Sequence, residues 1–379
     1  MSDSQPRRKP KQLSFPDDVV YDILTRVPVK SVIRFRCVSK SCNSIITNPI
    51  FITTHLDRAK SLSHNNNNNG YLLYIPRATN SSLRNELCID VCNSDHTVSH
   101  VSRFQIPFSL VRIFGFCNGI ICLYSSLNLI IYLWNPSIKK FKICAGTNLT
   151  RRRPAVTVGL AYHSQNNDFK ILRIQRSNGT LYEAEVYTLS TDSWRKVVIS
   201  VDSFSGSIHR ISELPCLFFN GALHTIAYSR DHNFILSFDV SDEIFRLIML
   251  PQNYNHTDIN FFESLAVFKG LLALLVYSND PYEMDIGICY IWVMREYGVV
   301  ESWTRKSVPV DLFVWSFFCT DSGELLINTA DRGVISYDPV SLNEKYLKIR
   351  RPLWLGYTAD HMESLVLLDQ VKMSSKYED

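Results

Sequence analysis

The 379-residue chain contains no apolar run long enough to span a bilayer. Its longest, such as LLALLVY at 271–277, reach five to seven residues, against the ~20 that a membrane helix requires. The opening residues MSDSQPRRKPKQ lack the apolar core of a secretory signal, so an intracellular protein is expected. Disulfide spacing is absent too. Ten cysteines are scattered, most inside apolar runs such as Phe116-Cys117 and Ile121-Cys122, and read as buried reduced thiols. The sequence has no nucleophile elbow, no phosphate-cradling glycine loop and no HExxH pattern. Beyond residue 60 it lacks a basic surplus: residues 1–60 carry a balance of +6 and the remainder −2. A nucleic-acid-binding surface on the larger part is therefore not expected. Alanine is sparse there while aromatics reach 12% of the chain, which leans toward β structure.

Helical periodicity is confined to the N-terminal region. Residues 1–12 read as a disordered basic tail and 13–58 as a three-helix unit. Val19, Val20, Ile23, Leu24 and Val27 recur at helical spacing. Asp17 and Asp18 suit the positive end of that helix, and Pro28 stops it. Residues 59–69 form a Ser/Asn-rich linker, 70–371 a β domain and 372–379 a tail. Inside the β domain a pattern repeats: IIYLWNPSIKKFKI, EAEVYTLSTDSWRKV, ILSFDVSDEIFRLIML, YIWVMREYGVVESWTRKSV and VISYDPVSLNEKYLKI. Their aligned aromatics Trp134, Tyr187, Phe238, Trp292 and Tyr337 stand 53, 51, 54 and 45 residues apart. A period near 50 predicts four-stranded propeller blades. A second line, including FGFCNGIICLY and CLFFNGALHTIAY, supplies the preceding hairpins, with Asn-Gly as the tight-turn signal. The fold class expected is mainly β: a small three-helix unit, then a six-bladed propeller closed by a C-terminal strand. ESLVLL at 363–368 echoes ESLAVF at 263–268 and is assigned to the innermost slot of blade one. On this topology the helices lie at the tight-turn rim and the long connections at the opposite one.

The stretch FPDDVVYDILTRVPVKSVIRFRCVSKSCNSIITNPIFITTHL at 15–56 resembles the F-box of plant F-box proteins over nearly its whole length. Phe15 stands where leucine is usual, and Cys42 where tryptophan is. The resemblance implies a face for a Skp-type adaptor, which tethers a cullin scaffold. The matching positions are Pro16, Ile23, Leu24, Val27, Pro28, Val29, Val32, Phe35, Val38 and Lys40. GFCNGIICLY, LWNPSIKKF, DFKILRI, EVYTLSTDSWR, FFNGALHTIAY and MESLVLLD resemble the plant F-box-associated domain, and look closest to the S-locus F-box group. That resemblance implies a non-catalytic receptor of a ubiquitin ligase, with no cofactor or metal. Its partners would be the adaptor, the cullin and a protein substrate, either a basic pistil ribonuclease in self-incompatibility or an unrelated target. No nucleic acid or membrane is expected. The alternatives are a non-degradative F-box interaction protein and a propeller enzyme acting on glycans.

Long loops on a rigid scaffold are where recognition concentrates. The target-binding set expected there is Arg151, Arg152, Arg153, Tyr254, Asp258, Asp280, Tyr282, Glu283, Asp285, Trp354 and Tyr357. One metal-like cluster, Cys88, Cys92, His96 and His100, fails on geometry. On a strand, four residues span ~13 Å, too far for Cys88 and Cys92 to share one ion. The expected location is the cytoplasm, with the nucleus as a second site if RRKPK at 7–11 acts as a signal.

Overall fold

The computed structural model describes residues 15–65, 70–77, 86–92, 98–108, 111–125, 127–144, 146, 156–176, 182–200, 207–230, 232–251, 254, 261–278, 287–310, 314–320, 322–358 and 363–368. Four helices come first: α1 (Asp17–Thr25), α2 (Val29–Phe35), α3 (Lys40–Ile46) and α4 (Pro49–Asn65). Their boundaries follow from local chemistry. Pro16 and Pro28 precede α1 and α2 in extended backbone, and Asp17 and Asp18 occupy the first turn of α1. Ser39 caps α3, its hydroxyl accepting from the Cys42 amide at 3.0 Å. Asn48 does the same for α4 through the Ile50 amide at 2.8 Å. The expected three helices are thus four, and α4 runs through residues read as linker.

Six antiparallel sheets follow. Blade one contains β1 (Gly70–Ile75), β2 (Glu86–Cys92) and β3 (Val98–Gln105), and blade two β4 (Val111–Cys117), β5 (Ile120–Ser125), β6 (Ile131–Asn135) and β7 (Lys140–Cys144). Blade three is β8 (Val156–His163), β9 (Asp168–Arg176), β10 (Tyr182–Thr188) and β11 (Ser193–Val197). In blade four, β12 (Ile208–Ile211) and β13 (Leu217–Phe219) share the innermost slot against β14 (Ala222–Ser229), followed by β15 (Asn233–Asp239) and β16 (Phe245–Met249). Blade five is β17 (Phe261–Phe268), β18 (Leu271–Ser278), β19 (Ile288–Met294) and β20 (Trp303–Pro309). Blade six is β21 (Val314–Cys319), β22 (Leu325–Thr329), β23 (Gly333–Tyr337) and β24 (Glu344–Tyr346). Then β25 (Trp354–Thr358) returns to blade one and pairs with β1, Tyr71 opposite Thr358 and Ile75 opposite Trp354.

Closure by a C-terminal strand holds, but the strand is not 363–368. β25 already fills the slot, and residues 366–368 form a turn in which the Leu368 amide reaches the Leu365 carbonyl at 3.0 Å.

The core is a ring of six clusters, one at each blade boundary. Leu73, Leu87, Ile121 and Trp134 fill the first boundary, and Leu72, Leu326, Ile349 and Leu355 the last. Middle strands such as β5, β6 and β14 are buried throughout, which is why they read as continuous apolar runs. Polar bonds cross the same boundaries. Lys170 donates to the Val240 carbonyl at 2.6 Å and to Glu243 at 2.7 Å. Trp303 Nε1 donates to the Met249 carbonyl at 3.0 Å.

Turn residues make the repeat visible. Asn118 and Gly119 take φ of 50° and 76° at the β4–β5 turn, the left-handed pair that matches strand twist. At the β6–β7, β15–β16 and β23–β24 turns, Asn135, Asp239 and Asp338 accept from the amides of Ser137, Ser241 and Val340 at 2.9–3.0 Å. Cys88, Cys117, Cys122, Cys144, Cys216, Cys289 and Cys319 are buried free thiols. Among the described residues, no helix is long and apolar enough to cross a membrane.

Candidate adaptor face and recognition rim

The helical unit presents two apolar faces. One is internal: Leu24, Val29 and Val32 are buried with Ile46, Phe51 and Ile52, and His55 donates Nε2–H to the Val27 carbonyl at 2.9 Å. The other is open. Phe15, Val19, Ile23, Phe35, Val38 and Ile50 are all large, apolar and exposed, Ile23 at 50% and Val38 at 67%. Of the ten positions matched to an adaptor face, Pro16, Ile23, Pro28, Phe35, Val38 and Lys40 are exposed and Val27 is half-buried. Leu24, Val29 and Val32 point inward and are unavailable to a partner in this arrangement. The sequence periodicity marked both faces as apolar without saying which one the chain covers itself. Cys42, half-buried, packs against the internal cluster.

The helices sit on the tight-turn rim. Ile138, in the β6–β7 turn, packs on the helical cluster, and Lys60 of α4 lies 4.0 Å from the ring centre of Tyr162 at the end of β8. The opposite rim is therefore free of them, as the topology predicts.

At that opposite rim the expected target set divides. Arg151, Arg152, Arg153, Asp258, Asp280, Tyr282, Glu283 and Asp285 lie outside the described residues. Tyr254 is half-buried and donates its hydroxyl to Glu263, which also accepts from Tyr228. Burial, reinforced by the Glu263 carboxylate, pushes both phenols well above their ordinary pKa. Arg210 covers the Tyr228 ring at 3.8 Å. Trp354 and Tyr357 are not loop residues, correcting that expectation. Both belong to β25: Trp354 meets Phe116 edge-on at 6.4 Å, and the Tyr357 ring lies against Gly70, where a Cβ would stand 2.1 Å from its hydroxyl. The run WLGYT was too short to stand out from its polar flanks.

One residue escaped the sequence reading. Trp315, on the innermost strand β21, is 64% exposed. A bulge between Val314 and Ser316 breaks the alternation and turns it outward, and a bulge leaves no local sequence signal. Of the metal-like cluster, Cys88 is buried and His100 donates Nδ1–H to Asp90 at 2.7 Å. His96 lies outside the described residues.

Comparison with known proteins gives this arrangement a family. Residues 78–351 match the F-box associated beta propeller domain and residues 13–54 the F-box domain. An F-box/kelch-repeat protein of Arabidopsis thaliana is 26% identical over 309 residues, covering 78% of this chain and 80% of that protein. The F-box protein CPR1 of the same plant is 26% identical over 373 residues, 89% of this chain and 85% of its own length. A further Arabidopsis F-box protein reaches 31% over 383 residues, 93% and 89% of the two chains. Among solved structures, a chain of a nidogen/laminin complex superposes with a TM-score of 0.45 at 11% identity, over 77% of this chain and 100% of that one. Four N-terminal helices with an open apolar face, seated on a closed six-bladed ring, together with the two domain matches and the 31% identical relative, make the chain a member of the F-box proteins that carry an F-box associated β-propeller domain.

Proposed function

We propose that this chain is the substrate-recognition subunit of a Skp–cullin–F-box ubiquitin ligase. The observation that carries the reading is the open face of the helical unit. Phe15, Val19, Ile23, Phe35, Val38 and Ile50 leave a contiguous module with more apolar surface than it covers, and burial against a partner is what such a surface favours. The adaptor is that partner, and Pro16, Pro28 and Lys40 border its footprint. The chain carries out no chemistry. It raises the effective concentration of a bound protein beside a charged ubiquitin-conjugating enzyme.

The target is held at the rim opposite the helices, by Trp315 and by the long connections that carry Arg151 to Arg153 and Asp258. Aromatic and arginine side chains supply most of the affinity of such surfaces. The acidic residues Asp280, Glu283 and Asp285 favour a basic protein target, for which a secreted ribonuclease is the first to test, with action in the cytoplasm. Reconstitution decides the matter. The purified chain should co-elute with a Skp-type adaptor and cullin, and ubiquitin should be transferred to a captured basic ribonuclease. Failure to co-elute with the adaptor would overturn the receptor reading. Co-elution without transfer to any captured protein would favour a non-degradative scaffold.

A further inference from the structure

We propose that residues 363–368 form a clasp that fixes the angle between the F-box helices and the propeller, and that Asn135 is the positioning residue that holds it. Six residues serve two bodies at once. Leu365 and Leu368, 1% and 2% exposed, are buried among Leu24, Val29, Val32 and Phe51 of the helices. Leu367, between them, is buried instead in the core shared by blades two and three. Neighbouring residues anchored in different bodies leave little slack, because six residues span at most ~20 Å even fully extended.

The backbone of the segment is tied down as firmly as its side chains. Asn135, 0% exposed at the end of β6, donates its amide to the Ser364 carbonyl at 2.9 Å and to the Val366 carbonyl at 2.8 Å. Its Oδ1 accepts from the Ser137 amide at 3.0 Å, so both hydrogens and the oxygen are engaged. Lys140 donates to the Leu368 carbonyl at 3.2 Å, and Glu363 accepts from the Val29 amide at 3.2 Å. A buried polar group satisfied on every side tolerates one arrangement only, and shifting the segment would strand it. A tail that merely covered exposed surface would need anchors on one body, and this one has matched anchors on both. The stacking of Lys60 on Tyr162 adds an independent tie.

The consequence rests on the ligase-receptor reading. A target on the far rim is carried in one fixed direction from the adaptor, so the conjugating enzyme meets a defined set of lysines. A loose joint would spread the same target over a larger volume and lower its effective concentration.

The test measures the joint directly. Spin labels on the exposed Cys37 and on V198C, in a C42S background, report the distance between helices and propeller in the full chain. The intact clasp should give one narrow distribution, and N135L, which keeps all three leucines, should at least double its width. Truncation after residue 362 removes the clasp while leaving every blade strand in place. It decides the question if N135L fails to fold. An unchanged width in the truncated chain overturns the proposal. A second readout is the map of self-ubiquitinated lysines in the reconstituted ligase. It should spread to additional propeller sites in N135L, and an unchanged map overturns the positioning role. Loss of adaptor capture by the intact chain would sink the receptor reading alone, and the distance measurement would still decide the clasp.

Discussion

Arg173 and Glu185 face each other across β9 and β10 as a buried ion pair, their side chains 3% and 2% exposed. The Trp194 ring covers the guanidinium at 4.5 Å. Removing one partner takes the close counter-charge from a side chain that stays buried inside blade three. Glu185→Ala should therefore cost on the order of 3–5 kcal/mol, whereas the paired change Arg173→Met with Glu185→Leu should cost far less. Urea unfolding of the single and double variants checks this. Equal losses in both would mean that the pair is not desolvated as its burial indicates.

The two apolar faces of the helices predict opposite mutant behaviour. Ile23→Asp and Val38→Asp, at exposed positions, should leave the unfolding transition in place and weaken adaptor binding at least tenfold, about 1.4 kcal/mol. Leu24→Asp buries a charge in the internal cluster and should melt the helical unit first. Calorimetry alongside adaptor titration separates the two outcomes.

Acid should weaken blade four. His224 is wholly buried, its Nδ1–H reaching the Leu217 carbonyl at 3.2 Å and its Nε2 accepting from the Tyr297 hydroxyl at 2.6 Å. Burial holds the ring neutral and lowers its pKa from 6.5 to about 4. The unfolded chain therefore binds a proton that the folded one refuses between these values. Stability is full above pH 6.5 and falls as pH drops toward 4, by up to about 3 kcal/mol. Denaturant midpoints from pH 7 to 4.5 should show the slope, and His224→Gln should flatten it.

Two glycines should resist alanine for different reasons. Gly221 has φ of 73° and open space around it, so Gly221→Ala pays only the left-handed backbone cost of ~1–2 kcal/mol. At Gly159 the backbone is ordinary, but a Cβ would stand 2.6 Å from Cys216 Cβ and 2.8 Å from Leu223. Gly159→Ala should wedge blades three and four apart, and Cys216→Gly, which removes the Cβ it meets, should partly rescue it. Melting temperatures of the two single variants and the double decide.

What the sequence disclosed, and what it hid, divides by range. The turn pairs Asn118-Gly119 and Asn220-Gly221 and the ~50-residue period are local signals, and six blades followed from them. The innermost slot of blade one is not local. ESLVLL and WLGYT are both short apolar segments near the C-terminus, and their patterns do not say which one reaches β1. Geometry at the ring decides, by pairing Ile75 with Trp354. In the helical unit, Leu24, Val29 and Val32 count as adaptor contacts only through the F-box resemblance, which marks apolar positions without separating the covered from the open ones. Their actual cover, Leu365 and Leu368, lies more than 300 residues away in the sequence. Trp315 stayed hidden because a bulge alters the facing of a strand without altering its composition.

Closure by β25 also sets a timetable for synthesis. Tyr71 leaves the ribosome long before Thr358, its partner, has been made. At ~5–20 residues per second the open edge of β1 waits for tens of seconds. Throughout that time it offers unpaired amides and carbonyls to any strand it meets. The helices wait longer still, since Leu365 and Leu368 follow β25. The helical module, translated before the propeller, is thus among the last parts to acquire its full core, and a chain halted before β25 leaves both the ring and the helices unfinished.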